Sequence, residues 1–209
     1  MKKYWVFAVA LLFAVSCGKY HVKNEINNGS ALGKLKKTGI IIRKTHNTPI
    51  AFKLIKKNVS QWLEPYKKVN QLVLIEKTSK ALDTAMTESE RFLQFSGKGD
   101  FQFYQTIGIL THYLNKNKDE LDKIKAENDL DSLLIYELDA GYSLELQYTD
   151  FGSMIIIVDN NNKILSMDRQ YDKYETFEID KDIMKEELLD LISNRLIDQI
   201  TKLKYVKEK

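Results

Sequence analysis

The chain of 209 residues contains one cysteine, Cys17. An internal disulfide is therefore excluded, and with it the class of small secreted scaffolds held by cystines. There are two prolines, Pro49 and Pro65, so long helices and strands can run without an imposed break. The three histidines are His21, His46 and His112, and none has a metal-type partner at a helical spacing. No Gly-x-Gly-x-x-Gly, P-loop or Gly-x-Ser-x-Gly elbow occurs. Gly97-Lys98-Gly99 reads as a turn rather than a phosphate cradle. Asp159-Asn160-Asn161-Asn162 lacks the spacing and the closing Glu of a calcium loop, and reads as a hairpin turn. No metal or cofactor is expected. Long apolar runs are missing too. The longest, Tyr4 to Val15, has twelve residues, where a membrane-spanning helix needs roughly 20.

That short run has a different meaning in its setting. Lys2-Lys3 precede it and Ser16-Cys17-Gly18 follow it. A charged stretch, a short apolar stretch and a small residue before the cleavage point make a signal peptide, residues 1–16. Ala14-Val15-Ser16-Cys17 resembles the lipobox of bacterial lipoproteins, in the looser form found in spirochaetes, with Ala14 where Leu is usual. The resemblance implies that the Cys17 thiol carries a diacylglyceryl group and that the new amino terminus is acylated. Two or more acyl chains anchor a protein stably, where one is marginal. Lipidation would also consume the only thiol of an exported chain. Gly18 follows the cysteine in place of the Asp of an inner-membrane retention signal, so the outer membrane is the expected address.

Removing residues 1–16 leaves 30 basic and 29 acidic residues, a net charge of +1, which gives no reason to expect a nucleic-acid partner. The charge is unevenly spread. Residues 17–68 hold twelve basic residues against Glu25 and Glu64, a net of +10, and the rest of the chain carries −9. One reading places Lys34, Lys36, Lys37, Arg43 and Lys44 on an anionic membrane surface, where each basic residue contributes about 1 kcal/mol. The other has the two parts interleave so that their charges pair in the fold.

Residues 18–38 are rich in Gly, Asn, Ser and Lys without a visible period, and residues 17–38 are expected as a lipidated tether. A single domain is expected over residues 39–209. Ile40-Ile41-Ile42 and Gln71 to Ile75 read as short buried strands. Phe52, Ile55, Val59, Trp62, Leu63 and Tyr66 fall at helical spacings over 51–66, with Trp62 on the core side. Residues 81–95 give a further helix, and 101–127 one or two helices breaking near Asn115-Lys116-Asn117. Asp119-Glu120 and Glu186-Glu187 read as solvated helix faces. Four strands follow, at 131–138, 143–148, 154–159 and 163–169, separated in part by Asp150-Phe151-Gly152 and Asn160-Asn161-Asn162 as turns. They are expected to form an antiparallel meander. Asp180 is a plausible cap for a last helix whose stripe is Leu188, Leu191, Ile192, Leu196, Ile200 and Leu203.

The fold class is therefore α+β: a mixed, largely antiparallel sheet with helices packed on it and a long C-terminal helix. This order resembles the periplasmic domain of the curli-secretion lipoproteins and of the lipoprotein activators of penicillin-binding proteins. Ile40 to Arg43 corresponds to their first strand, Asn128 to Leu138 to the strand after an acidic helix end, and Ile155 to Ser166 to the next hairpin. The resemblance implies an envelope accessory or assembly role without catalysis. The expected partners are the membrane, through the anchor, and a protein of the envelope or host. The alternative is an envelope hydrolase acting on lipid or peptidoglycan, its site assembled from scattered residues around His46 or His112.

Overall fold

The computed structural model describes residues 20–43, 58–66, 71–79, 82, 100–143, 148–175 and 181–203. Its centre is a six-stranded mixed sheet of β1 (Tyr20–Asn27), β2 (Thr38–Arg43), β3 (Leu72–Leu74), β4 (Ser132–Ser143), β5 (Tyr148–Asp159) and β6 (Ile164–Glu175), in the spatial order β1-β6-β5-β4-β2-β3. β4, β5 and β6 form an antiparallel meander, and β1 adds antiparallel to β6. β2 lies parallel to both β3 and β4. The helical segments are α1 (Gly29–Leu32), α2 (58–66), α3 (Asp100–Lys116), α4 (Lys118–Asn128) and α5 (Lys181–Thr201). The class is α+β, with the long C-terminal helix in place.

Helices cover both faces of the sheet, and for that reason the central strands read as continuous apolar runs. In β2, Ile40 and Ile42 enter one core and Ile41 the other. The first core gathers Leu134, Tyr136, Ile155 and Ile157 from the sheet. Against them pack Val59 and Leu63 of α2 and Ile192, Leu196 and Ile200 of α5. The second core gathers Leu133, Ile135, Met154, Ile156 and Met167. Against them pack Leu110, Tyr113 and Leu114 of α3 and Leu121 and Ile124 of α4. Each such side chain contributes about 1.5–3 kcal/mol on leaving water. The stripe Ile192, Leu196, Ile200 and Leu203 is fully buried, as its spacing requires. Trp62 is half-buried against the same core. The break between α3 and α4 falls at Asn117, whose amide and side-chain Nδ2 both donate to Tyr113 O.

Two close fits set the start of the meander. α4 ends on Asp129 in the left-handed region (φ 54°), and Leu130 N donates back to Lys125 O at 2.8 Å. That wrap seats Leu130 in the second core. A Cβ on Gly39 would lie 2.6 Å from Leu130 Cδ1 and 2.8 Å from Leu133 Cδ2, so a larger residue in β2 must displace those two side-chain ends.

Several expectations are corrected. The segment expected as a tether contributes an edge strand and α1, and Leu32 is fully buried in the first core. The ladder to β6 from Tyr20 to Asn27 and the burial of Leu32 give this segment a fixed place that a tether lacks. Residues 17–19 lie outside the described ones. Asp150-Phe151-Gly152 is no turn. It runs inside β5, paired with Asp139 to Gly141 on one side and Tyr171 to Lys173 on the other. The expected strand 143–148 is instead where β4 ends and β5 begins. Glu120 is not merely solvated, since it accepts from Ser79 N at 2.7 Å and from Ser79 Oγ. The expected helix 81–95, apart from Leu82, falls outside the described residues, as do Gly97 to Gly99 and Asp180.

Candidate functional site

The basic residues expected on a membrane surface separate. Lys34 and Lys36 are exposed in the loop after α1. Lys37 is half-buried, its Nζ donating to Asn128 O at 2.6 Å. The loop is fixed by Asp131, which accepts from Lys36 N at 2.7 Å and Lys37 N at 3.1 Å. Arg43 is 1 % exposed and pairs with Glu137 at 2.8 Å, its guanidinium 4.0 Å above the Tyr113 ring. It is a core residue and leaves the proposed membrane surface, because β2 is a central strand covered on both faces. Lys44 lies outside the described residues. In this segment one charge of the basic part, Arg43, pairs with one of the acidic part, Glu137.

A buried polar row crosses the sheet beneath α3. Register places Arg43 beside Glu137, Glu137 beside Met154 and Met154 beside Arg169. Arg169 is fully buried. On the other face, Arg195 of α5 reaches down to the meander. Its guanidinium pairs with Asp168 at 2.9 Å and donates to Ser153 Oγ at 3.1 Å and Gln170 Oε1 at 2.5 Å. Gln199 donates to the second Asp168 oxygen at 2.5 Å. Tyr136 donates to Ile192 O at 3.3 Å, and burial pushes its phenol above the usual range. These bonds fix the axial position and rotation of α5 on the sheet. They join side chains to one another rather than aim them into a cleft.

A third cluster links α4 to the β5–β6 turn. Asp159 Oδ1 accepts from Asn161 N and Lys163 N, and Asn162 takes the left-handed region at φ 61°. Lys125 Nζ occupies the middle. It meets Asn160 O at 2.5 Å, Asn162 Oδ1 at 2.9 Å and Asp122 Oδ1 at 3.0 Å. The ammonium thus spends its three donors within the protein, where a calcium loop would hold an ion. The Lys118 ammonium beside Asp122 holds that carboxyl down at about 2, and Lys125 and Asn162 add to the effect. The cleft here, about 490 Å³, is polar and is lined by Lys118, Asp122, Asp129, Asn160 and Asn161 among others.

His112 is exposed on α3 and, among the described residues, makes no hydrogen bond to a serine or an acid. His46 lies outside the described residues. Among the described residues no group of His, Cys, Asp and Glu is arranged to hold a metal ion, and no helix is long and apolar enough to cross a membrane.

The contact feature that sequence reasoning missed is β1. It pairs with β6 from Tyr20↔Lys173 to Asn27↔Ser166, and no described strand lies on its outer side. The period-two placing of Tyr20, Val22 and Ile26 was the available signal, diluted by Asn24 and the surrounding lysines.

No family model matches the sequence, and no curated protein matches it. Solved structures similar to the chain include the PelC dodecamer from Paraburkholderia phytofirmans, at 10% identity over 88% of this chain and 98% of that one, with a TM-score of 0.47. Lipoprotein GNA1162 from Neisseria meningitidis is similar at 10% identity over 79% of this chain and 96% of that one, with a TM-score of 0.37. At these scores the likeness assigns no function.

Proposed function

We propose that this chain is a lipid-anchored protein of the bacterial envelope, held at the outer membrane through Cys17. On this reading it acts as a non-enzymatic accessory whose sheet edge binds protein. The observation that carries the reading is the position of β1. The strand begins three residues after Cys17 and is an edge strand with no described neighbour outside it. Three residues reach at most about 11 Å, so an anchor at Cys17 would bring that edge to the bilayer surface. An exposed edge offers a row of main-chain donors and acceptors, and strand addition to such an edge is a common way to bind protein. The buried ion pairs support the same reading from another side, since they brace the sheet and helices rather than converge on a cleft.

The test has two arms. Metabolic labelling with a palmitate analogue should mark the wild-type protein and not Cys17→Ala, which should accumulate as precursor. Affinity capture from crosslinked envelopes should then recover a reproducible protein partner through the wild-type chain. Equal labelling of both proteins removes the anchor. Turnover of a lipid or peptidoglycan substrate by the purified chain, lost on His46→Ala or His112→Ala, removes the non-enzymatic role.

A further inference from the structure

The geometry points to a second copy of this chain as the occupant of the β1 edge, paired antiparallel about a two-fold axis at Asn24. The inference rests on reading β1 as a contact edge and is independent of lipidation.

The phase of the β1–β6 ladder fixes which main-chain groups are free. Asn28 N donates to Leu165 O at 3.0 Å, one pair beyond Asn27↔Ser166. In an antiparallel ladder, residues alternate between those that bond the neighbour and those whose N–H and C=O face away from it. Tyr20, Val22, Asn24 and Ile26 therefore bond β6. His21, Lys23, Glu25 and Asn27 present their main-chain groups outward. The opposite end of β6 gives the same phase. Asp159 N donates to Lys163 O at 3.0 Å, so Ile157 and Ile155 bond β6 through Ser166 and Asp168, and Met167 and Arg169 are left to bond Ile26 and Asn24. The register shift at Ile157/Val158 places one extra residue in β6, and the count includes it.

Two copies meeting along this edge must set outward residues against outward residues. Four registers overlap five or more of the eight residues, and the one centred on Val22 sets Lys23 against His21 and forms only two outward pairs. Centring on Lys23 sets Lys23 against Lys23 of the second copy. Centring on Glu25 sets Glu25 against Glu25. Each puts like charges directly opposite, which destabilises a sheet. Centring on Asn24 sets Lys23 against Glu25 twice, by symmetry, and sets Val22 against Ile26 twice. It also sets His21 against Asn27, so four outward pairs form about eight main-chain hydrogen bonds. Opposite charges and β-branched pairs are the favourable cross-strand combinations. The edge is thus self-complementary in one register and repulsive in its two neighbours, as a two-fold interface requires. The result is a continuous twelve-stranded sheet across two copies.

The register can be read directly. Single cysteines are placed at His21, Lys23, Asn24, Glu25 and Asn27 in the full chain, and membranes are oxidised with copper phenanthroline. Wild type, which carries Cys17 alone, is the baseline. Asn24→Cys should give the strongest disulfide dimer. It would sit on the axis as a non-hydrogen-bonded pair with Cα atoms about 4.5 Å apart, within disulfide range. In a second measurement, sedimentation of the purified chain should give twice the monomer mass. Lys23→Glu should reduce this to monomer, and Lys23→Glu combined with Glu25→Lys should restore it. A crosslinking maximum at Lys23 or Glu25 overturns the register. Monomeric wild type with no dimer above baseline at any position overturns the pairing. Failure of palmitate labelling would remove the anchor and leave both measurements standing.

Discussion

Arg43 and Glu137 are register partners on the parallel strands β2 and β4, and their side chains close a 2.8 Å ion pair at 1% and 2% exposure. The pair joins the basic N-terminal part of the chain to the acidic remainder inside the second core. Removing one partner of such a pair leaves a charge buried in a low-dielectric interior. Arg43→Met is expected to cost about 3–5 kcal/mol, and Arg43→Met with Glu137→Leu to recover most of that loss. Urea unfolding followed by circular dichroism measures both. Equal midpoints for wild type and Arg43→Met would show that the pair adds nothing.

Asp122 is expected to make stability depend on acid. Its carboxyl is held at about 2 by the Lys118 hydrogen bond, against about 3.9 in an unfolded chain. A depressed carboxylate binds its proton more readily in the unfolded state. Its contribution is therefore complete above about pH 5 and is lost as the pH falls toward 2. The stability difference between wild type and Asp122→Asn should be constant from pH 8 to pH 5 and shrink below pH 4. A difference that is flat to pH 2.5 would count against the Lys118 and Lys125 contacts. The side chain is more than a third exposed, so salt should shrink the difference as well.

Two backbone positions should respond in opposite directions. Gly39→Ala places a methyl within 2.6 Å of Leu130 and 2.8 Å of Leu133, and is expected to cost about 1–3 kcal/mol through overpacking. Asp129→Gly relieves a left-handed residue at φ 54° and is expected to gain about 1 kcal/mol. Thermal melts of the two variants should move to opposite sides of wild type.

The membrane contribution of the basic segment is expected to come from Lys34 and Lys36, which are exposed, and not from Arg43, which is buried. Binding of the non-lipidated chain to phosphatidylglycerol vesicles should be measurable at low salt and weaken as salt rises. Lys34→Glu with Lys36→Glu should reduce it by about tenfold or more, at about 1 kcal/mol per lysine. Binding indifferent to salt would return these lysines to an ordinary solvated loop.

The elements that sequence determined are those whose periodicity reports one local environment. Ile40 to Ile42, the run Leu133 to Tyr136 and the stripe of Ile192, Leu196, Ile200 and Leu203 each carry their burial in their spacing, and each became a buried strand or helix. Asn117 and the Asp159 to Asn162 turn were legible because Asn and Asp bond their own backbone and tolerate left-handed geometry. The lipid address proposed for Cys17 likewise rests on adjacent residues, although the described fold begins after it.

Tertiary structure decided what depends on partners distant in sequence. Arg43 looks like one more lysine-rich surface residue until β2 is placed between β3 and β4, with Glu137 across from it. Asp150 to Gly152 has turn composition, yet two flanking strands supply its hydrogen bonds and hold it extended. The polar stretch from Tyr20 to Asn27 carries too weak a period to announce a strand, and β6 recruits it by ladder hydrogen bonds that composition does not record. Local propensity is small beside those pairings, so whether a polar segment becomes tether or edge strand is settled by what lies beside it.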